Sequence, residues 1–246
     1  MNEDASDKNT DDKNRLHPAI RNHKAVIFDV GGTLVHPDWS RLAEVVEVET
    51  GIHFTSAQMH SAFYAMLQVI DAELKAGVSS RSKREAHWVF VDTCRSLGIA
   101  DAKCPGIRTR LTAAHQERHL WCQPDSTAST VLRRLKSAGI KTAVISNTED
   151  GRASESLELA NLTSHFEVVV DSHLVGCSKP DKAIFQFALN RLRLEPHEAA
   201  YVGDSFGFDV IGARSAGLHP ILLDRMDAYE SEPGLTRIRF LSELVD

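Results

Sequence analysis

The sequence lacks the features that mark membrane and secreted proteins. No apolar run among its 246 residues approaches the length of about 18 residues that a membrane-spanning helix needs, and the amino terminus has no apolar signal segment. The four cysteines form no Cys-x-x-Cys pair and offer no zinc-ligand spacing with histidine. We therefore expect a cytoplasmic protein with reduced thiols and no membrane partner.

An excess of positive charge is also lacking. The chain carries 28 Lys and Arg residues against 34 Asp and Glu residues, a formal net charge of -6, and its basic residues are dispersed along the sequence. This distribution excludes the basic surface typical of nucleic-acid-binding proteins, so we expect no nucleic-acid partner. With 42% hydrophobic and 25% charged residues, the composition is that of an ordinary globular protein. Nothing in it distinguishes a monomer from a dimer.

What the chain does contain is a regular change in secondary-structure signals. Residues 1–23 mix charges of both signs with Asn and Ser, which predicts a flexible tail. Residues 38–123 give helix patterns only, whereas residues 124–246 alternate helix and strand, as parallel sheets with crossover helices do. We therefore predict an α/β fold: a Rossmann-like, doubly wound parallel-sheet core formed by 24–37 and 124–246, with an inserted all-helical cap over 38–123.

The segment AVIFDVGGTLV, Ala25–Val35, ends its apolar run in an aspartate that two glycines soon follow. Such a run predicts a strand buried on both faces, and the glycines let the backbone turn sharply after it. Ligands bind at the carboxyl ends of parallel strands, so polar residues that follow the predicted strands are candidates for one site. Two carboxylates suit a hard cation such as Mg²⁺, and a lysine with hydroxyl and amide groups suits a phosphate. The candidates are Asp29, Gly31, Gly32, Thr33, Ser146, Asn147, Lys179 and Asp204.

Four short motifs occur in the order, and at the strand ends, typical of one protein family. They are FDVGGTL, ISNT, KPDKAIF and VGDSFGFD. Each motif alone is weakly specific, but together they make the sequence resemble the haloacid dehalogenase superfamily, in the branch whose helical cap is inserted after the first core strand. The resemblance extends over essentially the whole chain after the predicted tail.

For the metal, the resemblance implies ligands from two motifs. Asp29 would be both the nucleophile and a ligand of Mg²⁺, and the Gly31 carbonyl and Asp204 would be the other protein ligands. Asp209 and Thr33 would lie just outside this group. An aspartate nucleophile forms an aspartyl phosphate, which splits one difficult hydrolysis into two easier steps.

For the phosphoryl group, the resemblance implies contacts from three motifs. Ser146, Asn147 and Lys179 would hold its oxygens and so act in catalysis, beside the backbone of Gly31 and Gly32. Such donors stabilise the charge of a transferring phosphoryl group. The implied substrate is therefore a small phosphorylated molecule.

One residue departs from the pattern of the family's phosphatases. They carry a second aspartate two positions after the nucleophile, where this sequence has Gly31. Glycine cannot transfer a proton, and general acid–base catalysis is typically worth ~10²–10⁴ in rate. We therefore expect slow turnover, or action restricted to activated acyl and aryl phosphates, unless another residue supplies the acid. His36, shortly after the motif, is the candidate for that acid, and Asp38 is the second choice.

Three functions stay open at this point. The first is a Mg²⁺-dependent, phosphatase-like hydrolase acting through an aspartyl phosphate. The second is a phospho-ligand-binding protein derived from such an enzyme, in which Asp29 no longer supports turnover. The third, a 2-haloacid dehalogenase, is disfavoured by Asp204, because displacing a halide from carbon needs no acidic residue for a metal. The cap is expected to select the substrate, and its residues Arg81, Lys83 and Arg84 are candidates for meeting an anionic leaving group.

Overall fold

The computed structural model describes residues 13–78 and 86–245. The chain divides into two compact units. One consists of the described parts of Met1–His36 and Pro124–Asp246, and the other of the described parts of Pro37–Gln123. We refer to the first as the α/β unit and to the second as the helical unit.

Strands of the α/β unit form a parallel sheet. In chain order, the strands of the described residues are β1 Ala25–Phe28, β2 Val35–Pro37, β3 Trp121–Pro124, β4 Lys141–Ser146, β5 Val168–Asp171, β6 Ala199–Gly203, β7 His219–Leu223 and β8 Thr236–Ile238. Six of them form this sheet in the order β5-β4-β1-β6-β7-β8, and each neighbouring pair is parallel. The central position of β1 between β4 and β6 confirms the predicted doubly wound α/β core.

The central strands are buried on both faces. Every residue of β1 and of β6 is buried, because their side chains are almost all apolar and helices cover the sheet. The register places Phe28 of β1 beside Val144 of β4 and Val202 of β6. This alignment brings the carboxyl ends of the three strands to one edge of the sheet.

Helices cover the sheet and make up most of the second unit. The helical unit contains α1 Trp39–Thr50, α2 Ser56–Lys75, α3 Trp88–Ser96 and α4 Cys104–Glu117. The α/β unit contains α5 Ala128–Ser137, α6 Ala153–Leu159, α7 Ser172–Val175, α8 Lys182–Leu192 and α9 Ile211–Ser215. A π-helical turn, Phe206–Val210, leads into α9, and 3-10 turns lie at Asp101–Lys103, Thr163–His165, Pro196–Glu198 and Leu241–Leu244.

Side-chain caps explain where two of these helices begin. Thr55 and Gln58 form a capping box at the start of α2, in which each side chain accepts the backbone N–H of the other residue. Asp181 caps α8 by accepting a backbone N–H at 2.9 Å. The apolar face of α8 then packs on the sheet, where the rings of Phe185 and Tyr201 lie with centroids 5.1 Å apart. The Asp181 cap therefore fixes where the KPDKAIF segment turns into helix.

The helical unit has its own apolar core, and it is not helical throughout. Side chains from all four helices fill this core, among them Leu42, Met59, Phe90, Ile107 and Leu111. The prediction of helices only is wrong at β3, which pairs with β2 in a two-stranded sheet. Strands of three and four residues contain too few positions to show a period-2 pattern, so no local signal indicated these two strands.

The predicted tail over residues 1–23 is wrong in its described part. Leu16 and Ile20 are buried, at 5% and 0% exposure. The backbone N–H of His17 donates to the Leu244 carbonyl at 3.0 Å. Two apolar side chains four positions apart thus suffice to pack a segment whose overall composition is polar.

Some predicted features lie outside the described residues. These are residues 1–12 of the tail and the cap candidates Arg81, Lys83 and Arg84. Across the described ranges, the structure contains no helix with the length and apolar character that spanning a membrane would require.

Candidate active site

Three predicted site residues meet at the carboxyl edge of the sheet. Asp29 directly follows β1, Ser146 is the last residue of β4, and Asp204 directly follows β6. All three are buried, and the backbone N–H of Asp29 donates to the Val202 carbonyl at 2.8 Å. A carboxylate that is taken out of water in this way needs compensating partners.

Lys179 supplies the positive charge beside the nucleophile candidate. Its ammonium Nζ lies 2.5 Å from Asp29 Oδ1, 2.8 Å from Asp209 Oδ1 and 3.1 Å from the Tyr201 hydroxyl. The Tyr201 hydroxyl in turn donates to Asp209 Oδ1 at 3.0 Å. Lys179 is only 4% exposed, so these contacts form in a water-poor environment where charge interactions are strong.

Burial and excess negative charge shift the titration of this cluster. Burial raises the pKa of Asp29 to about 6, and the Asp209 charge adds to the rise, while Lys179 opposes it. Burial would lower the pKa of Lys179, but the charges of Asp209 and Asp29 outweigh burial and raise it. Lys179 therefore stays protonated at neutral pH.

The donor set fits a divalent cation. Asp29, Asp204 and Asp209 each offer a carboxylate oxygen, and these oxygens lie within 4.8 Å of one another. Lys179 sets one positive charge against Asp29 and Asp209, and a divalent cation would offset the negative charge that remains. Asp209 already accepts from Lys179 and Tyr201 and, through Oδ2, from a backbone N–H at 3.0 Å. Asp29 and Asp204 are therefore the carboxylates better suited to a hard ion such as Mg²⁺.

The two glycines after the nucleophile differ in what they require. Gly32 has a φ of 84°, in the left-handed region, and a Cβ there would lie 1.9 Å from Asp204 Oδ2. Gly31 is not among the residues with positive φ, and its backbone bridges to Val35. The freedom of glycine is therefore needed at Gly32, where Asp204 fills the space that a side chain would take.

Asn147 binds the Lys179 backbone through both ends of its side-chain amide, and its contact with phosphoryl oxygens stays a prediction. Its Nδ2 donates to the Lys179 carbonyl at 3.0 Å, and its Oδ1 accepts the Lys179 backbone N–H at 2.9 Å. The carbonyl oxygen and one N–H of the side-chain amide thus bind the Lys179 backbone. The following residue, Thr148, is tied down through its hydroxyl, which donates to Asp171. The ISNT segment therefore positions Lys179 from its backbone side.

The contacts of the His36 ring are with residues outside the carboxylate cluster. His36 Nε2 is 3.6 Å from Asp125 Oδ2 and 3.4 Å from an Arg225 nitrogen, and these two residues form an ion pair at 2.8 Å. The His36 ring thus faces this ion pair rather than Asp29, which does not support its predicted role as the acid. Thr33 is fully buried, and its hydroxyl has no hydrogen-bond partner among the described residues.

Tyr201 is the cluster member that the sequence analysis missed. It lies inside the segment AAYVG, which has the composition of an ordinary core strand. One signal was available in the sequence: residues two apart in a strand lie on the same face of the sheet, so the Tyr201 side chain shares a face with Gly203. A Cβ at Gly203 would lie 2.3 Å from the Asp209 carboxyl carbon, so Asp209 occupies the face on which Tyr201 projects.

Comparisons with known proteins place the chain among hydrolases. The family model for haloacid dehalogenase-like hydrolases matches residues 23–217. Haloacid dehalogenase-like hydrolase domain-containing protein 3 of Mus musculus is 34% identical over 156 residues, 62% of this chain and 61% of that protein. This chain thus spans about three fifths of the length of that relative.

Two relatives with different activities match over more of their length. The (S)-2-haloacid dehalogenase 4A of Burkholderia cepacia is 34% identical over 235 residues, 90% of this chain and 93% of that protein. The glyceraldehyde 3-phosphate phosphatase of Methanopyrus kandleri is 28% identical over 217 residues, 85% of this chain and 88% of that one. Among solved structures, magnesium-bound YfnB of Bacillus subtilis shares the fold, with a TM-score of 0.66, 18% identity, and coverage of 91% of this chain and 97% of that chain.

Proposed function

Because the chain belongs to the haloacid dehalogenase-like hydrolase family, we propose that it is a Mg²⁺-dependent phosphatase that forms an aspartyl phosphate on Asp29. The observation that carries this proposal is Asp204, a second buried carboxylate with an oxygen within 4.8 Å of one from Asp29. Phosphoryl transfer brings charge that a cation must offset, whereas displacement of a halide from carbon brings none of that charge.

Residues from four loops and strand ends at this edge of the sheet would take part in the reaction. When bound, Mg²⁺ would be held by Asp29, Asp204 and the Gly31 carbonyl, and it would offset charge on the phosphoryl oxygens. Asp29 attacks phosphorus through one carboxylate oxygen, and the leaving oxygen departs with the bonding electron pair. Water then attacks the aspartyl phosphate, which releases inorganic phosphate and restores Asp29. Lys179 adds a fixed positive charge beside the attacking carboxylate, and Ser146 is a hydroxyl donor at the neighbouring strand end.

The leaving group decides how fast this site works. Gly31 has no proton to give, and the ring of His36 faces the Asp125–Arg225 ion pair. An aryl or acyl leaving group needs little protonation, whereas an alkoxide needs a full proton. We assign the site to activated phosphates, with alkyl phosphates as poor substrates.

The helical unit is assigned the role of substrate selection. It is inserted in the chain directly after the segment that carries Asp29. An inserted unit at this position in the chain can supply residues that discriminate between substrates. The substrate class is a small phosphorylated molecule.

A 2-haloacid dehalogenase is the second candidate function. The supporting observation is the 34% identity to a Burkholderia cepacia (S)-2-haloacid dehalogenase over 90% of this chain. In that reaction Asp29 would displace the halide from carbon, and water would hydrolyse the resulting ester. Such a reaction would use Asp29 and Lys179 but would leave Asp204 without a task.

The two candidates are separated by paired rate assays on the full chain. One assay measures hydrolysis of 4-nitrophenyl phosphate and of acetyl phosphate, with Mg²⁺ and with a chelator. The other measures halide release from 2-chloropropionate under the same conditions. Asp29→Asn serves as the matched control in both, since it preserves shape and removes the nucleophile.

Each result leads to a different function. Mg²⁺-dependent release of nitrophenol or acetate that is lost in Asp29→Asn supports the phosphatase. Halide release that persists in chelator and is lost in Asp29→Asn overturns it in favour of the dehalogenase. Binding of inorganic phosphate by calorimetry, with no turnover in either assay, would instead indicate a phospho-ligand-binding protein.

A further inference from the structure

We propose that Tyr201 is a positioning residue whose hydroxyl holds the Lys179 ammonium in place against Asp29. The catalytic consequence of this inference rests on the proposed phosphatase function, but the positioning itself does not. It starts from the three contacts of Lys179 Nζ, which are with Asp29, Asp209 and Tyr201.

An ammonium has three N–H donors, and each contact accounts for one of them. Asp209 Oδ1 and the Tyr201 oxygen take two of the three, and the Tyr201 hydroxyl donates its own hydrogen to Asp209 Oδ1. Lys179, Asp209 and Tyr201 therefore close a triangle of hydrogen bonds. The triangle fixes the rotation of the ammonium and directs its third N–H at Asp29.

The ring and the hydroxyl of Tyr201 have separate tasks. The ring packs in the sheet core against Phe185, with centroids 5.1 Å apart, as a phenylalanine would. Tyr201 is fully buried, and burial together with the Asp209 charge raises the pKa of its hydroxyl, so it remains a neutral donor. A buried hydroxyl costs free energy unless it is paired, so packing alone would favour phenylalanine here. The hydroxyl is therefore explained by its place in the triangle.

This triangle bears on catalysis through the N–H directed at Asp29. When a phosphoryl group is attached to Asp29, a phosphoryl oxygen can accept that N–H in place of the carboxylate oxygen. Asp209 and Tyr201 keep the other two N–H donors in place meanwhile. Pre-oriented donors stabilise developing charge better than mobile ones, because they need no reorganisation during the reaction. Loss of the hydroxyl should therefore lower kcat more than it changes KM.

The positioning is tested by NMR of lysine ammonium groups in the full chain, with Lys179 assigned by the loss of its signal in Lys179→Met. In the wild type, the Lys179 ammonium protons should exchange with water far more slowly than those of exposed lysines. Tyr201→Phe should accelerate that exchange by about tenfold. Tyr64→Phe, which removes a hydroxyl from a buried tyrosine of the helical unit, should leave it unchanged. Fast exchange of Lys179 in the wild type, or unchanged exchange in Tyr201→Phe, overturns the proposal.

Kinetics on 4-nitrophenyl phosphate give the second readout. We expect Tyr201→Phe to lower kcat by about tenfold with KM within about twofold of wild type, and Tyr64→Phe to change neither. Equal kcat in Tyr201→Phe and wild type overturns the catalytic consequence. If the wild type hydrolyses no phosphate, the proposed function fails, and the NMR result still decides whether Tyr201 positions Lys179.

A measurement without a core substitution covers the case in which Tyr201→Phe does not fold. The chain has three tyrosines, and all of them can be replaced by 3-fluorotyrosine during expression. Fluorine makes the hydroxyl a stronger donor and a weaker acceptor. The Lys179 ammonium signal should then shift, while the signals of exposed lysines stay in place. An unshifted Lys179 signal overturns the proposal.

Discussion

Asp204 Oδ2 occupies the space in which a side chain at Gly32 would begin. A Cβ at position 32 would lie 1.9 Å from that oxygen, and the φ of 84° at Gly32 is already one that L side chains rarely adopt. The backbone of the loop that follows Asp29 is thus packed against the carboxylate of Asp204, which lies in the loop after β6. This contact fixes where Asp204 can place its other oxygen.

Gly32→Ala should therefore disable the metal site as well as strain the loop. The left-handed conformation costs an alanine roughly 1–2 kcal/mol, and displacement of Asp204 adds roughly 1–3 kcal/mol of overpacking. We expect a loss of about 2–5 kcal/mol in the free energy of unfolding by urea titration. Calorimetry should show Mg²⁺ affinity reduced by about tenfold or more.

Gly51→Ala is the matched control for this substitution. Gly51 also has a positive φ, 75°, but nothing lies within 4 Å of a Cβ placed there. Gly51→Ala should lower the free energy of unfolding only by the cost of the left-handed backbone, roughly 1–2 kcal/mol. It should leave Mg²⁺ binding as in the wild type. Wild-type Mg²⁺ affinity in Gly32→Ala would contradict the assignment of Asp204 to the metal.

Asn147→Ala should reduce activity far more than stability. The substitution removes both hydrogen bonds to the Lys179 backbone, at 3.0 and 2.9 Å. Asn147 is exposed, so water can replace much of what is lost, and we expect a cost of about 1 kcal/mol. The Lys179 ammonium, however, would move relative to Asp29, which should lower kcat on an aryl phosphate by about tenfold or more.

The control for Asn147→Ala lies on helix α8. Asn190 is exposed, and among the described residues the hydrogen bond of its side chain is a long one, 3.5 Å, with Gln186. Asn190→Ala should leave kcat unchanged. Equal rates in the two variants would show that the Asn147 amide does not position Lys179.

The organisation of the fold could be predicted because it depends on long, locally visible patterns. A six-residue run such as Lys141–Ser146 contains enough buried positions to identify a strand, and the alternation with helices specifies the sheet type. The strands Val35–Pro37 and Thr236–Ile238 were missed because three residues are too few to show a strand pattern. Backbone pairing rather than local pattern determines such strands.

The site could be predicted as a set of residues but not as a set of contacts. Asp29 and Asp204 were found from their positions after strands, and Lys179 from its position before Pro180 at a predicted helix start. The partner of Asn147 lies 32 residues away, and no local pattern encodes which groups meet across that separation. Tyr201 was missed for a related reason. Its ring packs in the core as any aromatic residue of a strand would, and its hydroxyl contacts Lys179, which is distant in sequence.

The amino-terminal segment should make stability depend on pH. His23 and His219 stack with ring centroids 5.7 Å apart, near the amino ends of the strands. Burial lowers the pKa of both histidines. The charge of His219 lowers the pKa of His23 further. The charges of Arg214 and His17 lower the pKa of His219 further. Since the unfolded chain binds these protons more readily than the folded one, the stability that the two histidines contribute should fall as the pH drops below about 6.5.

This dependence is measured as the difference in Tm between pH 7.5 and pH 5.5. His23→Gln combined with His219→Gln removes both groups and should reduce that difference by a few degrees. Burial also lowers the pKa of His165, which the double variant keeps, so part of the dependence should survive. The exposed His173→Gln should keep the wild-type difference. An undiminished difference in the double variant would contradict the explanation.

Gly31→Asp tests whether the site lacks only its acid. The φ of Gly31 lies outside the left-handed region, so the backbone can accept a side chain at this position. An aspartate there could protonate an alkoxide leaving group and then activate water against the aspartyl phosphate. We expect kcat on an alkyl phosphate to rise by about 10-fold or more, with a much smaller gain on an aryl phosphate.

Gly31→Asn separates proton transfer from the effect of adding a side chain. The amide has nearly the same size as the carboxyl group, but it cannot exchange a proton at neutral pH, so its rate on the alkyl phosphate should stay at the wild-type level. A gain in both variants would point to packing of the loop rather than to acid catalysis. No gain in Gly31→Asp, in a folded protein that binds Mg²⁺, would mean that Asp29, Lys179 and Asp204 no longer form a working phosphatase site. The retained carboxylates and lysine would then be explained by binding of a phosphorylated ligand.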